Sequence, residues 1–318
     1  MANFYGQFSG FGSGGAVADS GWQGAEAGYH SGSANPGSAA TTNGIGKYSY
    51  ASDGASVDTA NLSVARGDSG GSQSATHGYI SGGGDQSSGF ATYGNVIDKH
   101  QYATTNDATD VGDLTLKRHT VNSTCSETFG YTAAGHYGPR SNIIEKFSYT
   151  SDGNATDVGN LTVARNTCGN ASSLTHGYCA GGYSTGFDNT IDKYSFTSDG
   201  NAANVGDLTV ARQSDGGASS KTHGYCIAGG GTPNSDVIEK WSFDSDGNAT
   251  DVGDVVVPGY GRSGTSSTTH GYACQGWQSA PISSLTNAID KFSFSSDGDA
   301  TDVGDAFEAG SGGGGHHV

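Results

Sequence analysis

Leu174 to Asp207 reads LTHGYCAGGYSTGFDNTIDKYSFTSDGNAANVGD, and edited copies of this stretch run along the whole chain. The tyrosine of HGY returns at Tyr79, Tyr131 (within FGY), Tyr178, Tyr225 and Tyr272, with Tyr29 as a degenerate first copy, and the steps from 131 to 178, 225 and 272 are each 47 residues. A second landmark, the lysine of I-[DE]-K, falls at Lys47, Lys99, Lys146, Lys193, Lys240 and Lys291. Both landmarks count six copies. A period of about 40 to 50 residues holding several short strands is that of propeller blades.

Each copy parses into four strands. A small-residue run leads into HGYCAGG, a variable loop follows, IDKYSF alternates, SDG turns the chain, and DVGDLTVAR closes the unit. Asp-Gly between alternating apolar runs is a hairpin signal in which both central residues take positive φ. The Gly-Gly pair marks a place where the backbone bends or meets a neighbour too closely for a Cβ. No segment keeps a 3.6-residue period beyond two turns. The predicted fold is all-β: a six-bladed β-propeller with four antiparallel strands per blade.

The chain is 33% hydrophobic with 55 glycines and five prolines. In a propeller this suffices, because each sheet buries both faces against its neighbours and no single large core is needed. A formal charge of −17 repels phosphate backbones, which argues against a nucleic-acid partner. The first residues, MANFYGQFSGFGSGG, lack the basic flank and apolar run of a secretory signal, and no stretch is apolar enough for membrane insertion. Cys179 and Cys226 share one repeat position, Cys274 lies one further on, and Cys125 and Cys168 precede the second strand. Position-matched cysteines in successive blades lie too far apart to bridge, so they read as buried small hydrophobes.

In order, residues 1–13 form an extension with Phe4, Tyr5, Phe8 and Phe11 among glycines, an extra strand or an anchor into a neighbouring subunit. The propeller spans 14–309, with blades at 14–66, 67–118, 119–165, 166–212, 213–259 and 260–309, each ending at the Arg of VAR or its equivalent. The Gly-rich 310–318 reads as a flexible polar tail. Blade six holds four strands of its own, so no strand exchange between the chain ends is expected; closure falls to packing of blade one on blade six or to residues 1–13.

The order of features, an AR dipeptide, a small-residue strand, a strand ending in Gly82-Gly83, Gly181-Gly182 or Gly229-Gly230, an alternating aromatic strand and a hairpin, resembles the kelch-type repeat over about 14–309. It departs from kelch at the fourth strand, where the tryptophan of that family is Val111, Val158, Val205, Val252 and Val303. The run IDK[FY]SFxSDGNATDVGDLTVAR also resembles repeat proteins of marine bacteriophages. That resemblance implies a virion protein assembled in the host cytoplasm, with other virion proteins or a host-surface glycan as partners. A homo-oligomer is compatible with it.

His77, His176, His223 and His270 recur at one position, too far apart to share one metal unless they line the axis, and read as packing residues. Asp152, Asn154, Asp157 and their copies offer oxygens of the kind calcium takes, without the EF-hand order; Asn and Asp are equally what tight turns use. No cofactor is expected, and calcium is the one alternative. Asn154 and Asn248 match the glycosylation acceptor pattern and read as turn residues. One active site would break the repeat, yet the outliers His119, His136, Tyr137 and Arg140 form no recognisable catalytic set, so a binding role is expected over a glycan-active enzyme. A cellular scaffold for protein partners is the third reading.

What breaks the repeat is the loop after the Gly-Gly strand, which shares a face with the blade-to-blade connections. Aromatics and arginines on variable loops over a rigid ring predict a binding face of Tyr93, Tyr137, Arg140, Tyr183, Phe187, Trp277, Arg165 and Arg212. The repeated lysines are expected to be buried and paired with the DVGD segment or with Asp98, Glu145, Asp192, Glu239 or Asp290.

Overall fold

The alternating runs become short antiparallel strands joined in sequence order, as the repeat demands. The computed structural model describes residues 23–35, 40–85, 92–213, 216–278 and 283–318, so the extension 1–13 lies outside the described residues. Blade four is Gly169–Ser172, His176–Tyr183, Phe187–Ser195 and Ala203–Asp207, and five further four-stranded sheets repeat this order. The first strands of all six touch their neighbours round one axis. No helix occurs among the described residues. The protein is a six-bladed β-propeller.

One interlock recurs at every seam. The tyrosine of HGY packs on an aromatic residue of the next blade, stacked for Tyr79 on Tyr149, Tyr131 on Phe196, Tyr178 on Phe243, Tyr225 on Phe294 and Tyr272 on Tyr50 and tilted by 32° for Tyr29 on Tyr102, with ring centres 4.4 to 4.9 Å apart. The preceding glycine makes room for the third-strand ring; a Cβ on Gly224 would lie 2.4 Å from Trp241. Six apolar clusters result, each built from two blades, so the core is distributed over the seams.

The Gly-Gly position is a bulge: pairing skips a residue between Ala180 and Gly182, with Gly181 and Gly182 at φ 64° and 117°. In blade five the bulged pair is Ala228 and Gly229, one residue earlier than the doublet suggests. The SDG segment is no two-residue hairpin. Residues 149–155 separate the paired strands, Ser148 Oγ accepts the Thr150 and Ser151 amides, and of Asp152 and Gly153 only the glycine takes positive φ.

Two expectations are corrected. The fourth strand stops at the last residue of VGD, for example Asn160, and LTVAR is the crossing to the next blade, with Leu161 and Arg165 buried beneath it. The tail is no free end: Gly314–His317 pairs antiparallel with Ala27–Asn35, in register Gly28 with His317 and Ser31 with Gly314, and supplies the first strand of blade one. Without it the buried edge of Ala27–Asn35 would keep unpaired amides and carbonyls. The ring therefore closes by strand exchange between its two ends.

The axis is sealed by backbone. At the six equivalent first-strand positions stand Gly71, Ser123, Asn170, Gly217, Gly264 and Gly315, and a Cβ on Gly264 would lie 2.0 Å from the Gly217 carbonyl oxygen. Among the described residues, the two spaces lined by these strands are of about 20 and 30 Å³, room for about one water each.

Candidate recognition face

The face that carries the variable loops is built by short bridges between each blade-to-blade connection and the loop that follows it. Gly67 pairs with Gly84, His119 with His136, Asn166 with Tyr183, Gln213 with Gly230, Tyr260 with Trp277 and Ser311 with Ala34. The repeat thus fixes six equivalent loop positions. Small residues occupy three of them; His136, Tyr183 and Trp277 occupy the others.

Blades three and four bring several predicted residues together. The Arg140 guanidinium lies over the Tyr183 ring, 4.6 Å from its centre, and its Nε donates to Asn166 Oδ1 at 3.2 Å. Tyr183 meets Phe187 edge to face at 5.5 Å. Phe187 is 40% exposed and Tyr137, at the tip of the neighbouring loop, 38%. Beneath them His119 Nε2 lies 3.3 Å from His136 Nδ1, and His119 Nδ1 lies 3.4 Å from Asp68 Oδ2. Burial, then the neighbouring His119 and Arg140, hold the His136 imidazole below its ordinary value. Trp277, half-buried, is a separate element on blade six, and Tyr93 belongs to a two-stranded hairpin with Gly84 on blade two.

Arg165 and Arg212 do not belong to this surface. Both are fully buried under the connections. Arg165 Nη2 lies 3.0 Å from Asp192 Oδ2 and donates to the Cys179 carbonyl, while Nη1 reaches Asp188 Oδ1 at 3.2 Å. Arg212 Nη1 lies 2.6 Å from Glu239. Arg66 with Asp98 and Arg118 with Glu145 complete the set, each arginine joining the third strand of the next blade. Blade six keeps the device from a shifted position: Gly259 stands at the VAR arginine, and Arg262 reaches Asp290 at 3.1 Å. A guanidinium buried without a carboxylate would be very costly, which is why it follows the acid inward.

The lysines pair across the seam, but with another acid. Lys99, Lys146, Lys193, Lys240 and Lys291 reach Asp152, Asp199, Asp246, Asp297 and Asp53 of the SDG turns at 2.5 to 2.9 Å. The lysine side chains are 20 to 22% exposed and the aspartates 50 to 60%, so the pairs sit at the rim and not in the core. The turn oxygens weighed for calcium have protein donors: Asp152 takes Lys99, Asn154 Oδ1 accepts the Asp113 amide and Asp157 Oδ1 the Gly159 amide. The repeated histidines sit beside these lysines, each with Nδ1 2.8 Å from the preceding threonine hydroxyl.

An apolar feature of the loop face escaped the sequence reading. Val64, Val163 and Val210 of the VAR crossings are exposed, Val210 by 50%. As mid-crossing residues they lie on the face that bears Tyr137 and Phe187. Searched against models of protein families, the chain matches none, and no curated protein matches it.

Proposed function

We propose that this propeller is a non-enzymatic recognition module, a virion component of the kelch-like kind that its repeat resembles. Its loop face contacts a host-surface glycan, or failing that a neighbouring subunit. The observation that carries this reading is the Arg140, Tyr183 and Phe187 cluster, which departs from the repeat and offers a ring to solvent above a rigid frame. Exposed aromatics beside an arginine are the residue types that dominate binding energy at recognition surfaces. The polarity of the molecule supports it. Gly24 hydrogen-bonds the Ser266 carbonyl and Val318 pairs with Ala27, at the far ends of the first strands, so these residues lie on the face opposite the loops.

The test is attachment of the purified protein to host cells, to a glycan microarray and to particles lacking it. Tyr137→Ser with Phe187→Ser should lower attachment at least about tenfold, since each anchor of this type contributes over about 1 kcal/mol, and leave the thermal melt nearly unchanged. Attachment equal to the parent's would overturn the assignment of this face. Loss confined to particles would exchange the glycan for a subunit.

A further inference from the structure

The closing strand differs from the other five first strands in carrying histidines. At the matching positions those strands have Ser72 and Gln73, Thr124 and Cys125, Ala171 and Ser172, Ala218 and Ser219, and Thr265 and Ser266; the closing strand has His316 and His317. At two other seams a third-strand tyrosine bonds the first-strand threonine of the preceding blade: Tyr194 to Thr124 and Tyr48 to Thr265, both at 2.6 Å. At the seam of blades one and two the same place holds His100 and His316, Nε2 to Nε2 at 3.1 Å, both buried.

That contact works only with one proton between the two facing nitrogens. A second proton would set two N–H donors and two positive charges head-on in a buried, weakly screening place. His317 is bound by the same logic, since its Nδ1 accepts the Ser266 amide at 3.4 Å and a protonated ring has no acceptor. The backbone at Gln101 favours charge on His100 and that at Gly314 favours it on His316, but burial outweighs both. Facing the pair are Tyr29 and His30 from the second strand of blade one, Lys47 from its third, His77 and Tyr102 from blade two, and His317 itself. Lys47 and His77 both oppose a further charge on His100, and the exposed Glu26 acts on Tyr29. Burial, then His100, hold the His316 ring far below its ordinary value.

The crossing into this strand also lacks the arginine bolt. Gly310 stands where Arg165 and Arg212 stand, and Gly46 where their acids stand. We propose that Gly314–His317 is an acid-released latch: protonation of the His100 and His316 pair and of His317 frees the strand and opens the ring. Release leaves the edge of Ala27–Asn35 unpaired, an edge able to accept a strand from another chain.

Amide hydrogen exchange of the whole chain at pH 7.5 and 5.0, corrected for intrinsic rates, tests this. Each histidine that regains its ordinary value on release should favour opening about 30-fold at pH 5. Protection of 315–318 should therefore fall at least that much further than protection of 217–219 in blade five. His100→Tyr with His316→Thr recreates the tyrosine-threonine contact and should reduce the differential loss at least about 30-fold, while His317→Ser should reduce it in part. Equal losses at both strands in the parent protein would overturn the latch. So would a full differential loss in the double variant.

Discussion

Arg165 follows the last strand of blade three, and its Nη2 lies 3.0 Å from Oδ2 of Asp192 in the third strand of blade four, both side chains wholly buried. Asp192 also accepts the Thr162 amide at 3.0 Å and the Thr162 hydroxyl at 2.6 Å. One carboxylate thus ties a crossing to the blade it enters. Asp192→Ala should destabilise the protein by about 3 kcal/mol, the low end for breaking a buried pair, because it removes the fully buried carboxylate and leaves the guanidinium only Asp188 Oδ1 at 3.2 Å. Arg165→Met together with Asp192→Leu should recover most of that loss. Urea denaturation checks both; a cost under about 1 kcal/mol for Asp192→Ala would show that the pair does not hold the seam.

The rim pairs should behave differently. Lys193 reaches Asp246 at 2.5 Å, but the aspartate is 56% exposed. Solvent screens such pairs, so Lys193→Met should change stability by less than about 1 kcal/mol. Raising the salt concentration should narrow even that difference. A loss near that of Asp192→Ala would mean the ammonium is anchored more deeply than its exposure indicates.

Blade number, strand order and the variable-loop face could all be read from the sequence, because each rests on local periodicity or turn chemistry. The buried arginines could not. An arginine at the end of an element reads as surface, and its acid, next to Lys193 in sequence, looks like the lysine's partner until the crossing shows Arg165 arriving from the previous blade. The closing strand was hidden by composition. GGHH seemed a tail, although GGSQ and SGTS at the same register are first strands; the signal was there, in small residues required at the axis. On the loop face, the sequence placed loops and crossings on one side of the ring, yet only the geometry separates exposed Phe187 from buried Arg212. The paired absence at Gly310 and Gly46 is visible in the sequence only once the arginine and the acid are known to meet.

The sealed axis is testable by one methyl group. A Cβ on Gly264 would fall 2.0 Å from the Gly217 carbonyl oxygen, and the three atoms nearest to it are all Gly217 backbone, which cannot swing aside. Gly264→Ala should therefore cost at least about 1 to 3 kcal/mol, the usual range for overpacking. Gly186, with open space around it, should accept alanine with little effect. Comparable melts for the two variants would show that the blades can move apart at the axis.

Acid should weaken the whole fold before the carboxylates titrate, and His30 shows why. It is fully buried at the seam of blades six and one, its Nε2 2.9 Å from Ser56 Oγ and its ring stacked on Phe307 at 5.3 Å. Burial lowers it from the ordinary 6.5 to about 4. Below 6.5 the unfolded chain takes up a proton that the folded one refuses, so the stabilising effect is complete above 6.5 and lost progressively as pH falls toward 4. For one such histidine the loss is about 2 kcal/mol between pH 7 and pH 5. His30→Cys places there the residue found at Cys179 and Cys226 and should make the melting temperature less dependent on pH in that interval, although His100 and His316 keep part of the slope. A variant whose slope matches the parent's between pH 7 and 5 would show that His30 accepts its proton without leaving the seam.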